Sequence, residues 1–294
     1  MSYIGRFAPS PTGPLHFGSL IAAVGSYLQA RSQHGQWLLR MEDLDPPRQQ
    51  AGAAEAIIRS LQRYGFEWDG PVVYQSARSP AYDAALERLR AAGWLFPCNC
   101  SRRDINEAGG IYPGTCRNGM PVRRDTARKP SLRVRSEGAP IRYHDAVQGE
   151  FEEDLAATVG DFVLKRRDGL YAYQLAVVVD DSEQGVTEVV RGSDLLDSTG
   201  RQIHLQRLLG YPTPGYVHLP VATDAQGCKL SKQTFAEALS DDNPVPSLCA
   251  ALRFLGQPLP DVVAGSTLAE IWQWAIRHWD LSAVPRRVSI AVSP

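Results

Sequence analysis

The chain has 294 residues, 44% of them hydrophobic and 21% charged, the profile of an ordinary globular protein longer than a single minimal domain. No apolar run reaches the length of a bilayer span and no basic, then apolar, leader opens the sequence, so membrane insertion and export are not expected and the cytoplasm is. A formal net charge of -1 excludes a globally basic nucleic-acid binder, and five cysteines, an odd number, speak against a disulfide framework.

In chain order, Tyr3 to Phe7 reads as a buried strand that runs into the loop Ala8-Pro9-Ser10-Pro11-Thr12-Gly13-Pro14. A helix follows from near His16, with Leu20, Ile21, Val24 and Leu28 on one face. Trp37 to Met41 is a second strand; Ala51 to Tyr64 and Pro80 to Ala92 are helices whose faces are Ile57, Ile58, Leu61 and Tyr82, Leu86, Leu89. This alternation predicts a parallel α/β sheet with helical crossovers. The pattern breaks between Phe96 and about Lys165, which reads as an insertion with short strands such as Leu132 to Val134. The rhythm resumes with Asp161 to Lys165, Ala176 to Asp181 and Val186 to Arg191, then a helix Leu195 to Leu209 and a strand Val217 to Val221. Pro244 to Leu255 and Leu268 to His278 read as helices of a small appended cap. The expected division is 1–97 and 161–235 for two halves of one core, 98–160 for the insertion and 236–294 for the C-terminal region.

Two segments have the chemistry to hold a polyphosphate. The loop from Pro9 to Ser19, between strand and helix, offers backbone N–H groups, a positive helix end, the donor His16 and the small Gly18. Late in the chain, Lys229-Leu230-Ser231-Lys232 can neutralise charge on a departing pyrophosphate. Each alone reads more simply as a capped turn or a solvated lysine loop. A third cluster, Cys98-Asn99-Cys100 and Cys116 around a Gly-rich turn, has the spacing of a zinc site; Asp104, Glu107 and Tyr112 are open candidates for its fourth ligand. Residues 101–135 hold nine Lys/Arg against three Asp/Glu, a local surplus that is either a phosphate-facing patch or a solvated basic loop.

Taken together, Arg6-Phe7-Ala8-Pro9-Ser10-Pro11-Thr12-Gly13 through His16-Phe17-Gly18, with Lys229-Leu230-Ser231-Lys232, resembles the paired signatures of class I aminoacyl-tRNA synthetases, and most closely glutamyl-tRNA synthetases. The likeness continues through Arg40 to Asp45, Tyr173-Gln174-Leu175-Ala176, Asp180-Asp181 and Val190-Arg191-Gly192, over roughly the first 235 residues. It implies a Rossmann-type catalytic domain that joins glutamate to ATP. By the family's pattern His16, Gly18, Lys229 and Lys232 are catalytic, and with Ser19 and Ser231 they bind ATP, which arrives with Mg²⁺. Glu42, Ser10 and the backbone of Ala8 would hold the α-ammonium of L-glutamate, and Arg6, Arg191 and Tyr173 its side-chain carboxylate. A desolvated guanidinium discriminates against glutamine by roughly 2–5 kcal/mol. One departure is Val177, where glutamyl-tRNA synthetases commonly carry an asparagine that touches the substrate.

The chain stops about sixty residues after Lys232, too few for the helical domains that read an anticodon in glutamyl-tRNA synthetases. The branch it resembles over its whole length is the glutamyl-Q tRNA(Asp) synthetase family, which shares the short form, the run Gly192 to Ser198 and a Cys-x-Cys, Tyr-x-x-x-Cys pattern. That resemblance implies Cys98, Cys100, Tyr112 and Cys116 as ligands of one structural Zn²⁺. It also implies tRNA-independent activation of glutamate and transfer to queuosine in the anticodon stem-loop of tRNA(Asp), with the basic segment facing the RNA. A monomer is expected. The alternatives are a short glutamyl-tRNA synthetase esterifying a 3′ end and a non-catalytic regulator that keeps the fold.

Overall fold

In the computed structural model, residues 2–121, 129–224, 226–229, 238–240, 242–260 and 265–292 are described. Strand β1 (Ile4–Phe7) is paired in parallel with β2 (Gln36–Met41), and β2 with the short β3 (Val73–Tyr74). On the other side of β1 lies β9 (Glu188–Gly192), joined through the Thr187 amide, which donates to the Ile4 carbonyl at 2.9 Å. Parallel β10 (Gly215–Leu219) follows, then β6 (Ile141–Asp145) and antiparallel β7 (Gly149–Glu153). Two ladders, β3-β2-β1 and β9-β10-β6-β7, thus lie side by side, and the strand order reverses direction between β1 and β9. In a parallel sheet the crossovers leave on opposite faces at such a point and open a crevice beyond the carboxyl ends of the strands.

Helix α1 (Phe17–Ser32) follows β1 and is buried around most of its circumference, from Leu20 to Ala30 apart from Ala22. The single apolar face expected from Leu20, Ile21, Val24 and Leu28 understates this, because its small residues Ala23, Gly25, Ser26 and Ala30 are covered too. Gly25 is needed there: a Cβ would stand 2.4 Å from Leu219 Cδ1 of β10. The second cover is the C-terminal region. Helices α8 (Pro244–Phe254) and α9 (Leu268–His278) contribute Leu248, Leu252, Ile271 and Trp272 to the same core cluster as α1, so the region is part of the main core rather than an appended cap. The chain then returns as β12 (Ser289–Ala291), paired in parallel with β11 (Val221–Thr223). The expected strand Val217 to Val221 is thus two strands broken at Pro220, which has no N–H to give a ladder.

Helices α2 (Ala53–Arg63) and α3 (Ser79–Ala91) match their periodicity to within two residues. Residues 176–181 lie inside helix α6 (Tyr173–Glu183). A second, antiparallel sheet joins β4 (Leu95–Cys98), β5 (Ser131–Val134) and β8 (Phe162–Lys165), with helix α4 (Arg102–Glu107) at its end. Sheet membership does not follow chain order here. β8 closes the antiparallel sheet although it lies beyond residue 160, whereas β6 and β7 extend the main sheet. Helix α5 (Leu155–Thr158) and helix α7 (Leu196–Leu209) complete the fold. Among the described residues no helix is long and apolar enough to cross a membrane.

Candidate active site and metal centre

A cleft of about 580 Å³ opens at the switch point, walled by the loop after β1, the end of β2 and the ends of β9 and β10. Arg6, Ala8, Ser10, His16, Gly18, Ser19, Glu42, Tyr173, Arg191 and Lys229 all line it, although they come from five separate stretches of chain. Ser231 and Lys232 lie outside the described residues.

At one end, His16 caps α1. Its Nδ1 accepts from the Ser19 amide at 3.3 Å and the Ser19 hydroxyl accepts from the His16 amide at 3.2 Å, a reciprocal capping box. With Nδ1 accepting, a neutral ring carries its proton on Nε2 and is a donor to the cleft. Lys229 stands across from it, Nζ 2.5 Å from Asp194 Oδ2. The Nε2–H donor of His16, the Lys229 ammonium, its charge partly offset by Asp194, and the N-terminal end of α1 therefore give this side groups suited to phosphate.

The other end is built from buried charges. Glu42 follows β2, and its amide donates to the Pro9 carbonyl at 3.0 Å, tying the two loops together. Burial pushes its carboxyl up, against the pull of Arg40 and Arg6. Arg6 is 3% exposed and grips Asp181 with Nε at 3.1 Å and Nη2 at 3.3 Å. Arg40, fully buried, reaches Asp181 at 2.8 Å and Glu42 at 3.4 Å. Burial would raise the Asp181 pKa, but Arg6 and then Arg40 hold it below the usual aspartate range.

Arg191 differs. It is 5% exposed, yet among the described residues no carboxylate pairs with it. Its guanidinium donates to His218 Nε2 (3.0 Å), Gln202 Oε1 (2.8 Å), Thr199 Oγ1 (2.9 Å), the Leu195 carbonyl (3.3 Å) and the Tyr173 hydroxyl (3.4 Å), all neutral acceptors. A buried cation without a counter-ion is costly, and a ligand carboxylate in the cleft would relieve that cost. Two of the five bonds are long and lie on the side of Tyr173 and Leu195, which also line the cleft, so they are the ones a ligand can replace. Arg6, already matched by Asp181, underlies the pocket more than it fills it.

Val177 is 1% exposed inside the cluster formed by α6 with Leu86, Leu89 and Leu205, and it does not line the cleft. Sequence reasoning missed Asp145, Thr199, Gln202 and His218. A histidine at the end of an apolar strand, Val217-His218-Leu219, was the available signal, since burial of an imidazole demands partners.

The cysteine group lies on the antiparallel sheet. Cys98, Cys100 and Cys116 are buried and their sulfurs lie within 4.8 Å of one another. Cys100 Sγ and Cys116 Sγ are 3.7 Å apart, and the Tyr112 hydroxyl is 3.6 Å from Cys98 Sγ. Those two distances are close to the edges of a tetrahedron with sulfur about 2.3 Å from its centre, so the three thiols could hold a metal ion, with the Tyr112 hydroxyl beside them. Asp104 is instead committed to capping α4, accepting from the Ser101 amide at 2.6 Å, and Glu107 pairs with Arg103. The basic surplus around this group is partly turned inward. Arg117 pairs with Asp161 at 2.7 Å and Arg133, 7% exposed, lies 4.2 Å over the Tyr112 ring.

Residues 4–256 match the model of the catalytic domain of class I tRNA synthetases (E and Q). The chain is 57% identical over 292 residues to a glutamyl-Q tRNA(Asp) synthetase of Aromatoleum aromaticum, covering 97% of this chain and 91% of that one. It is 56% identical to the protein of that name from Dechloromonas aromatica, covering 97% and 96%. The fold is similar to a crystal structure of a glutamate-tRNA synthetase from Elizabethkingia anophelis, with a TM-score of 0.81 at 24% identity over 100% of this chain and 68% of that one. This chain therefore belongs to the class I tRNA synthetases of the E and Q type and, within them, to the glutamyl-Q tRNA(Asp) synthetase family.

Proposed function

We propose that this chain activates L-glutamate with ATP, without tRNA, and transfers it to queuosine at the wobble position of tRNA(Asp). The observation that carries the amino-acid assignment is Arg191, a buried guanidinium whose partners among the described residues are all neutral, in a cleft also lined by His16 and Lys229. The relatives that carry the glutamyl-Q tRNA(Asp) synthetase name, at nearly full coverage, support the acceptor. They do not favour a short glutamyl-tRNA synthetase or a non-catalytic regulator.

In this reading the α-ammonium of glutamate sits against Glu42, Ser10 and the backbone of Ala8. Its side-chain carboxylate takes the Arg191 and Tyr173 donors, with Arg6 behind them. The α-carboxylate attacks the α-phosphorus of ATP in line, a bond forms from carboxylate oxygen to phosphorus, and pyrophosphate leaves. Mg²⁺ carried by ATP would neutralise part of the phosphate charge. His16, Gly18, Ser19 and the start of α1 hold the phosphates, and Lys229 with Ser231 and Lys232 withdraws charge from the leaving group. No side chain forms a covalent bond; positioning and charge account for the rate. A cyclopentenediol hydroxyl of queuosine then attacks the glutamyl carbonyl and AMP departs. Zn²⁺ held by Cys98, Cys100, Tyr112 and Cys116 would brace the antiparallel sheet, whose basic residues face the anticodon stem-loop through phosphate and shape contacts. The chemistry is that of the cytoplasm, and a monomer suffices for it.

Two measurements test the proposal. Glutamate-dependent ATP–pyrophosphate exchange in the absence of tRNA is expected. Labelled glutamate should become attached to tRNA(Asp) from cells that make queuosine and not to tRNA(Asp) from cells that lack it; labelling of both alike would overturn the acceptor assignment.

A further inference from the structure

Behind the cleft, Arg191 is backed by two groups that do not themselves line it, His218 and Asp145. His218 of β10 is the register partner of Arg191 on β9, and its ring is fully buried. Its Nε2 lies 3.0 Å from Arg191 Nε, and an arginine nitrogen only donates, so Nε2 accepts. The ring proton is therefore on Nδ1, which stands 2.6 Å from Asp145 Oδ2. Asp145, the last residue of β6 and itself fully buried, is anchored in turn. Its Oδ1 accepts from the backbone amides of Val147 (3.1 Å), Gln148 (2.8 Å) and His218 (3.2 Å). Three neighbouring strands thus carry a carboxylate, an imidazole and a guanidinium in one line that ends in the cleft.

We propose that Asp145 and His218 are positioning residues for glutamate recognition: they fix the orientation of Arg191 while keeping the Asp145 carboxylate one imidazole away from it. The contrast with Arg6 gives the reason. There Asp181 binds the guanidinium directly through both oxygens and matches its charge on the spot. An aspartate placed likewise on Arg191 would occupy the donors that a substrate carboxylate needs. The interposed neutral ring holds Nε by its lone pair, which keeps the positive charge available for substrate and leaves the Tyr173 and Leu195 side of the guanidinium exchangeable. Preorganising the arginine in this way removes the entropic cost of ordering it when glutamate binds.

This inference rests on the glutamate reading, and the experiment separates the two. Asp145→Asn changes one atom. The amide oxygen can still accept from the three backbone amides, but its NH₂ now faces His218 Nδ1, which drives the ring proton to Nε2 and sets it against Arg191 Nε–H. His218→Gln can return a carbonyl oxygen to the position of Nε2, while His218→Asn serves Asp145 and leaves Arg191 Nε without an acceptor. In tRNA-free ATP–pyrophosphate exchange, Asp145→Asn and His218→Asn are expected to raise KM for glutamate about 10- to 100-fold, the worth of a charge-assisted hydrogen bond. KM for ATP should be unchanged, and His218→Gln should recover most of the loss. An unchanged KM for glutamate in both impaired variants overturns the relay, as does an equal rise in both KM values with a lowered Tm. If the His218 substitutions do not fold, Asp145→Asn decides alone. Absence of glutamate-dependent exchange in the unsubstituted protein would instead overturn the activity reading, and the relay's purpose with it.

Discussion

Replacing Arg191 with glutamine tests the charge at the centre of the cleft. Glutamine is shorter and neutral but still offers an amide donor, so the substitution removes charge with modest loss of volume. In the structure the guanidinium makes five hydrogen bonds to neutral acceptors and no ion pair among the described residues. The free protein therefore loses hydrogen bonds but sheds a buried, uncompensated cation, and the two effects oppose. We expect a stability change of about 1–3 kcal/mol, from the acceptors left unpaired. The substrate complex loses more: a desolvated carboxylate without its cation costs about 2–5 kcal/mol, roughly a 30- to 4,000-fold rise in KM for glutamate. Glutamine, which never used that charge, should lose little, so the preference for glutamate over glutamine collapses. The assay is ATP–pyrophosphate exchange with each amino acid over a range of concentrations, alongside urea unfolding. If Arg191→Gln retains both the glutamate KM and the preference over glutamine, the carboxylate is held elsewhere and the electrostatic argument fails.

Further outcomes follow from other parts of the molecule. Elemental analysis of the purified protein should find one equivalent of zinc; Cys100→Ser should abolish it and Tyr112→Phe should weaken it, as read by competition with a chromophoric chelator. Equal zinc affinity of Tyr112→Phe and the parent would remove Tyr112 from the ligand set. Trp272 on α9 donates its Nε1–H to the Tyr64 carbonyl at 2.8 Å and meets the Tyr27 and Phe66 rings. Trp272→Ala should cost about 3–5 kcal/mol in global unfolding; a loss below 1 kcal/mol would mark the C-terminal helices as a detachable unit. Burial lowers the pKa of His204 and of His218 despite their hydrogen bonds, so the folded state holds both rings neutral where the unfolded chain begins to protonate. With more protons bound in the unfolded state, stability must fall as pH drops below about 6.5 and through the interval down to the folded-state values. Calorimetry in buffers of different ionisation enthalpy should find proton uptake on unfolding near pH 6, and none would refute the neutral tautomers. For Asp181, held below the usual range, the sign leads to a second loss. Its contribution is full above the unfolded aspartate value near 3.9 and fades as pH falls below it, so Asp181→Asn should flatten the acid limb of the stability curve.

Much of this protein was legible in one dimension. Leu268 to His278 and the three earlier helices were readable because an apolar stripe repeats every turn, and the loop between β1 and α1 because Pro and Gly interrupt that repeat. The cysteine spacing pointed to a metal because thiols so close in sequence can converge around a single turn, as Cys98, Cys100 and Cys116 do. Local patterns of this kind depend on neighbours along the chain, and sequence contains those completely.

What required the tertiary structure is everything set by strands that are distant in sequence and adjacent in space. Nothing in residues 141–153 announces that β6 and β7 join the main sheet while β8 leaves it, because strand partnership depends on which edge is free when the sheet assembles. The same is true of the C-terminal helices, whose apolar faces could cover any exposed surface until α1 is seen buried beneath them. The charges show it most plainly. Arg6 and Arg191 are equivalent as letters, yet one faces Asp181 directly and the other reaches Asp145 only through His218. Sequence determined which groups could ionise; only the fold decided which cation was left without a carboxylate among the described residues, since the energy of a buried charge depends on the few ångströms around it.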